Sequence, residues 1–236
     1  MIPLRALSAR LARTLAVAIV IVAASALAPG SLGGAATAEA ATPVPIVLVH
    51  GFGGSPEAFA VMERRFRALG RTVVAIDLPG ANNIANAKAI RDLVAANGWQ
   101  KVAIVGHSMG GLSSRSWIRS YGGRKVAVTY VSLGTPQQGI IVACALQRSN
   151  GGQMCPTDPF MTKLNSGDPT PGPTAWTSIF SATDGLVPTS ASRLAGGACN
   201  VRVTGPDHSG LLTDPGVFRL VRDAIDGKPC RGVVVP

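Results

Sequence analysis

"AIVGHSMGGLSSRSW", residues 103–117, carries the pattern on which the fold turns. Apolar Ala103, Ile104 and Val105 run into Gly106-His107-Ser108-Met109-Gly110, and a small, serine-rich and then aromatic stretch follows. The first part is strand-like and the part from Met109 to Gly123 is helix-like, closed by two glycines. Ser108 therefore stands on a strand-to-helix corner, with glycines two before and two after it. Such a corner forces unusual backbone angles at the serine and leaves little room around it, which Gly106 and Gly110 supply. It lifts the hydroxyl clear at the start of a helix, where free backbone N–H groups point at incoming negative charge. The competing reading is a glycine-rich turn with an incidental serine, so the surroundings have to decide.

Strand-like and helix-like patterns alternate on both sides of this corner. Strands are predicted at 45–50, 72–77, 101–106, 125–134, 176–182 and 199–205, and helices at 55–70, 84–98, 109–123 and 215–227. In 55–70, Phe59, Met62, Phe66 and Leu69 recur at helical spacing, and in 215–227 Val217, Leu220, Val221 and Ala224 share a face. Alternation of this kind predicts an α/β fold with a mainly parallel sheet of about six strands, covered by helices on both faces. Ligands of such sheets bind beyond the carboxyl ends of the strands. "HGFGG" (50–54), Ser108, Asp184 and His208 all directly follow strands, so all are expected on one edge.

Composition bounds the rest. With 236 residues, 47% hydrophobic and 14% charged, the chain suits one sizeable core and not a disordered polyelectrolyte. Arg5, Arg10 and Arg13 precede the uncharged run "LAVAIVIVAASALA" (15–28), and small residues follow up to Ala38-Glu39-Ala40. This is the layout of a secretory signal over residues 1–40, leaving a single domain over 41–236. The run is short of the ~20 residues of a membrane span, a retained anchor being the alternative, and no second run of that length occurs. Removing residues 1–40 takes out three arginines and one glutamate, so the net charge goes from +10 to +8. The basic residues are scattered except for Arg64, Arg65, Arg67 and Arg71, which read as a solvated helix face. With few aromatics besides, no nucleic-acid partner is expected. Cys144, Cys155, Cys199 and Cys230 allow three pairings, and pairing of sequence neighbours is preferred. A zinc site is the rival, but no C-x-x-C spacing is present, and neither metal nor cofactor is expected.

A serine hydroxyl needs a base, and the chain has only three histidines. His107 adjoins Ser108, where neighbouring side chains diverge, and His50 reads as support for the "GFGG" loop. His208 lies in a loop after the last predicted strand, from which an imidazole reaches across. Of the acids between Ser108 and His208, Asp158 and Asp168 sit beside prolines and read as turn residues, and Asp207 is too close to His208. Asp184 follows the strand 176–182 directly and is the candidate that orients the imidazole. The oxyanion formed on attack needs two donors, expected from the backbone N–H groups of Met109 and Phe52.

"VLVHGFGG" (47–54), "IVGHSMGG" (104–111), "TSIFSATDGLVP" (177–188) and "GPDHSGLL" (205–212) together resemble the small secreted bacterial lipases of lipase class 2, a minimal α/β-hydrolase group with little or no lid. The resemblance spans about residues 44–226. It implies carboxylic-ester hydrolysis with Ser108, Asp184 and His208 as the triad and Phe52 and Met109 as oxyanion donors. With the signal-like N-terminus, a monomeric, extracellular protein is expected, acting on an ester or lipid substrate, including at a lipid–water interface. The same triad serves polyester cleavage and acyl transfer to other alcohols, and a catalytically inactive binding module is the alternative outside enzymes. The segment 135–175 is longer than the smallest members need. It is expected to wall the acyl pocket, pinned by a Cys144–Cys155 bridge, with a surface excursion far from the site as the other possibility.

Overall fold

The computed structural model describes residues 43–235; the expected signal, residues 1–40, lies outside them. Seven strands form one sheet: β1 (Ile46–Val49), β2 (Val73–Ile76), β3 (Val102–His107), β4 (Ala127–Leu133), β5 (Ala175–Ser181), β6 (Ala198–Val203) and β7 (Val233–Val235). Their order is β2-β1-β3-β4-β5-β6-β7. All neighbours are parallel except β7, which runs antiparallel against Ala198–Asn200 at the start of β6. The six expected strands are present, and β7 is an addition to them.

Side chains alternate across this sheet with the period of two that a strand imposes. Ile46, Leu48, Ala103 and Val105 face one side, packed under α1 (Ala60–Ala68) and α6 (Pro215–Ile225) through Met62, Phe66, Val217 and Val221. Val47, Val49, Val102 and Ile104 face the other, under α2 (Asn83–Ala96) and α3 (Met109–Ser120) through Ile90, Val94, Trp117 and Ile118. Each fully buried Val, Leu, Ile, Phe or Met among them is worth roughly 1.5–3 kcal/mol. The helix ends follow from short polar residues: Asn82 accepts from the Ile84 and Ala85 N–H groups, and Asp214 from that of Val217.

Two expectations are corrected in detail. Leu69 lies past the end of α1 and is exposed. The basic cluster is not only a solvated face: Arg65 lies over the Phe218 ring at 5.4 Å, and Arg71 pairs with Asp226 at 2.8 Å, tying α1 to α6.

Residues between β4 and β5 hold more order than their glycine and proline content suggests. Two 3₁₀ turns, Ile141–Ala145 and Gly152–Met154, lead into α4 (Pro159–Asn165), and a single turn, α5 (Thr189–Ser192), follows β5. Ala143, Met154, Phe160, Met161 and Leu164 form a third apolar cluster with Met109 and Leu112 at the start of α3. Cys144 is bonded to Cys155, and Cys199 to Cys230. No helix among the described residues is long and apolar enough to cross a membrane.

Candidate active site

Strand order reverses on either side of β1 and β3, which makes the carboxyl ends of those two strands the switch point where ligands of open α/β sheets bind. Ser108 sits there, between the last residue of β3 and the first of α3, with φ 53° and ψ −126°. It is the one non-glycine residue with positive φ among the described residues. Such a conformation costs of order 1–3 kcal/mol and persists only where the surroundings impose it. The imposition is visible. The Ser108 N–H donates to the Leu133 carbonyl at 2.8 Å, and its carbonyl accepts from Gly111 N–H at 3.1 Å. A Cβ on Gly106 would lie 2.5 Å from the Gly111 Cα, and one on Gly110 would collide with the Val49 and His50 carbonyls. The two glycines let β3, α3 and the end of β1 close on one another.

Asp184, after β5, and His208, after β6, come together. His208 Nδ1 lies 2.9 Å from both carboxylate oxygens of Asp184, and the His208 N–H donates to the Asp184 carbonyl at 2.9 Å. A carboxylate only accepts, so Nδ1 carries a proton, and in the neutral ring the lone pair is the one on Nε2. Asp184 Oδ1 also accepts from the Val187 N–H at 2.6 Å and the Leu186 N–H at 3.0 Å. Burial alone would push this carboxyl up. The hydrogen bonds from His208, Val187 and Leu186 and the His208 charge outweigh burial and hold it below the ordinary carboxylate range. The other acids are turned to local work: Asp158 caps α4 and pairs with Arg148, Asp168 accepts from Thr170 N–H, and Asp207 from Gly210 N–H.

The loop after β1 is held by His50. Its Nδ1–H donates to the Gly51 carbonyl at 3.0 Å, and its Nε2 accepts from the Leu78 N–H at 3.3 Å. Phe52 follows, 44% exposed, with an N–H that donates to no protein oxygen among the described residues. Met109 is buried, and its N–H is the first of α3 and has no acceptor within that helix. The segment after β4 lies alongside: Gly151 donates to the Ala81 carbonyl at 3.0 Å, and a Cβ on it would lie 2.6 Å from the Phe52 ring. Gln153 accepts from the Asn83 N–H at 2.6 Å. Residues 151–153 therefore lie beside Phe52 and not at the far end of the molecule.

Two features escape sequence reasoning, Gly134 at the Asp184–His208 pair and Arg115 holding the segment after β4. Gly134, after β4, has φ 54°, and a Cβ there would lie 2.9 Å from Asp184 Oδ2 and 3.1 Å from His208 Nδ1. Its bareness makes room for the pair, and its place in "SLGTP" at a strand end is the only signal. Arg115 on α3 is fully buried and donates to the Pro169 and Leu164 carbonyls and to the Gln137 and Asn165 side chains. Burial pushes its pKa down to about 10.

A parallel sheet with a strained serine at its switch point and a carboxylate–imidazole pair on the same edge is the layout of a hydrolase fold. The chain belongs to the Alpha/beta hydrolase family, which matches residues 46–234. Similar solved structures include the mature form of the Bacillus licheniformis lipase BlEst2, 20% identical, with a TM-score of 0.66 over 79% of this chain and 93% of that one. A thermophilic esterase from Thermogutta terrifontis is 16% identical, with a TM-score of 0.60 over 78% of this chain and 90% of that one. A pyrethroid hydrolase from Sphingobium faniae JZ-2 is 13% identical, with a TM-score of 0.57 over 78% and 97%. At these identities the likeness is one of fold.

Proposed function

We propose that this protein is a secreted serine hydrolase that cleaves carboxylic esters of apolar acids, a lipase or esterase of the lipase class 2 kind. The observation that carries the proposal is the Asp184–His208 pair, which leaves Nε2 as a free base on the edge that holds Ser108. In this reading Ser108 Oγ attacks the ester carbonyl carbon while His208 Nε2 takes its proton. The carbonyl oxygen becomes an oxyanion, held by the Phe52 and Met109 N–H groups. As that intermediate collapses, the ester C–O bond breaks and His208 returns the proton to the leaving alcohol. Water then attacks the acyl-enzyme, with His208 again as base, and releases the acid and free Ser108. Asp184 keeps the imidazole in the working tautomer and stabilises the imidazolium. Exposed Phe52, Leu186, Ile141, Val142 and Leu146 suit an apolar ester better than a charged one. The lipase and esterase among the structural neighbours support the same substrate class. The two disulfides support an oxidising compartment, hence export.

The test is Ser108→Ala, assayed on p-nitrophenyl esters with two to sixteen acyl carbons. Turnover is expected to fall on the order of 10⁴–10⁶-fold, with Asp184→Asn and His208→Ala in the same range, because such residues act as a unit. A fluorophosphonate probe should label the native protein and not Ser108→Ala. Retention of a tenth of the activity by Ser108→Ala sinks the proposal.

A further inference from the structure

His107 is adjacent to Ser108 and is not the candidate base, yet it meets all three parts of the site. Its Nε2 lies 3.0 Å from the backbone carbonyl of His208. A carbonyl cannot donate, so Nε2 carries the proton and the bond is N–H to oxygen. Its ring lies against the His208 ring, with centroids 4.6 Å apart and planes tilted by 47°. On its other side, the place where a Gly51 Cβ would stand is 3.3 Å from His107 Nδ1 and 3.0 Å from the Ser108 Cβ. One buried imidazole thus bonds to the loop of the base, adjoins the serine corner and lies beside Gly51, the neighbour of the oxyanion donor Phe52.

Resting on the triad reading above, we infer that His107 is a positioning residue, whose Nε2–H grips the His208 main chain and fixes the base against the Ser108 corner. The base needs such a grip. His208 stands on a loop after β6, with β4 and β5 between that strand and β3, and among the described residues its side chain hydrogen-bonds to Asp184 alone, which is itself on a loop. The His107 bond is the direct tie from the serine strand to the residue that must meet the serine. Burial, with the His208 charge second, holds the His107 pKa down to about 4. Asp184 and His50 are the other charged or titratable groups that act on it. The ring is therefore neutral and keeps its donor tautomer above that pH. A misplacement of about 1 Å at a reacting group can cost on the order of 10²-fold in rate.

The experiment compares His107→Met, similar in size without a donor, with His107→Gln, whose amide nitrogen can replace Nε2–H. Each is assayed well below its melting temperature, with competent sites counted by fluorophosphonate titration. His107→Met should lower kcat roughly 10–100-fold with KM within about twofold, and His107→Gln should recover to within about threefold of native. An undiminished kcat per titrated site in His107→Met overturns the inference, as does an equal loss in both variants. Ser108→Ala is run in parallel. If it stays active, the triad reading falls and takes this inference with it. If it is dead while His107→Met is unslowed, only this inference falls. Should His107→Met not fold, ¹⁵N imidazole shifts of the native protein decide, since an Nδ1–H tautomer at His107 is incompatible with the bond.

Discussion

Single residues here are recruited by geometry more than by residue type. The sequence contains three histidines, and each ends up with a fixed proton position set by its acceptor. His50 holds a loop through Nδ1–H, His107 donates from Nε2, and His208 donates from Nδ1 to Asp184. Their different jobs were partly readable, because a base must be able to swing across from another strand, which excludes the neighbour of Ser108. What the neighbour does instead was not readable, since the His208 carbonyl it binds is 101 positions away. Burial of neutral His107 has a consequence for stability. Above about pH 6.5 the ring is neutral in both folded and unfolded chains and contributes nothing to the pH dependence. Between about 6.5 and about 4 only the unfolded chain takes up the proton, so stability falls as pH falls; below about 4 both states bind it and the loss levels off. The loss is about 3 kcal/mol for a shift of this size. Asp184 acts lower on the scale. Its depressed carboxyl contributes stability above the unfolded value of about 3.9, and that is lost as pH falls through the folded value. Urea unfolding of native protein and His107→Gln from pH 7 to 4 should therefore give curves that diverge across this window, the native one falling more steeply. Parallel curves would mean that His107 is already charged in the fold.

At the scale of elements, the segment between β4 and β5 is where sequence patterns read least. Its glycines and prolines hide α4, a helix of seven residues, too short for periodicity to show. Order there comes from the Cys144–Cys155 bond within the segment and from partners far along the chain: Gln153 on the Asn83 N–H, and the Arg115 and Arg119 guanidinium groups on the Leu164 carbonyl at the end of α4. The cysteine pairing is legible in the sequence, but the distant partners are invisible to local propensity. A segment held at so many points should not swing as a lid, and the expected outcome is that rates on a soluble ester pass its solubility limit without a jump. The bond closes an 11-residue separation and is worth about 3 kcal/mol on the chain-entropy account. Replacing Cys144 and Cys155 together by serine should lower the melting temperature. Because residues 151–153 abut Phe52, it should also blur the acyl-chain preference in the ester series. A lowered melting temperature with an unchanged preference would place this segment outside the acyl wall.

Across the whole molecule, the two ends of the strands carry separate burdens. The α/β alternation was legible because a doubly covered parallel sheet writes itself as short apolar runs between amphipathic helices, and the six runs are six strands. β7 was not, because "VVV" is three residues long and pairs antiparallel only with the first half of β6. Its position matters for function by being remote. Ala198–Asn200, which it covers, begin β6, whereas His208 follows the other end of that strand. Cys199 lies in the covered stretch, and its bond to Cys230 brings the chain back to the sheet edge just before β7. Closing that 31-residue separation is worth about 4 kcal/mol on the chain-entropy account. Without β7, β6 would present unpaired N–H and C=O groups as an edge open to other chains. Deleting residues 229–236 together with Cys199→Ser should therefore lower the melting temperature and promote aggregation. It should leave kcat per fluorophosphonate-titrated site within about twofold, because the Asp184–His208 pair and the Ser108 corner keep their supports at the opposite edge. If turnover per titrated site instead falls in step with stability, the two edges are coupled through β6, and the strand is part of the catalytic frame along its full length.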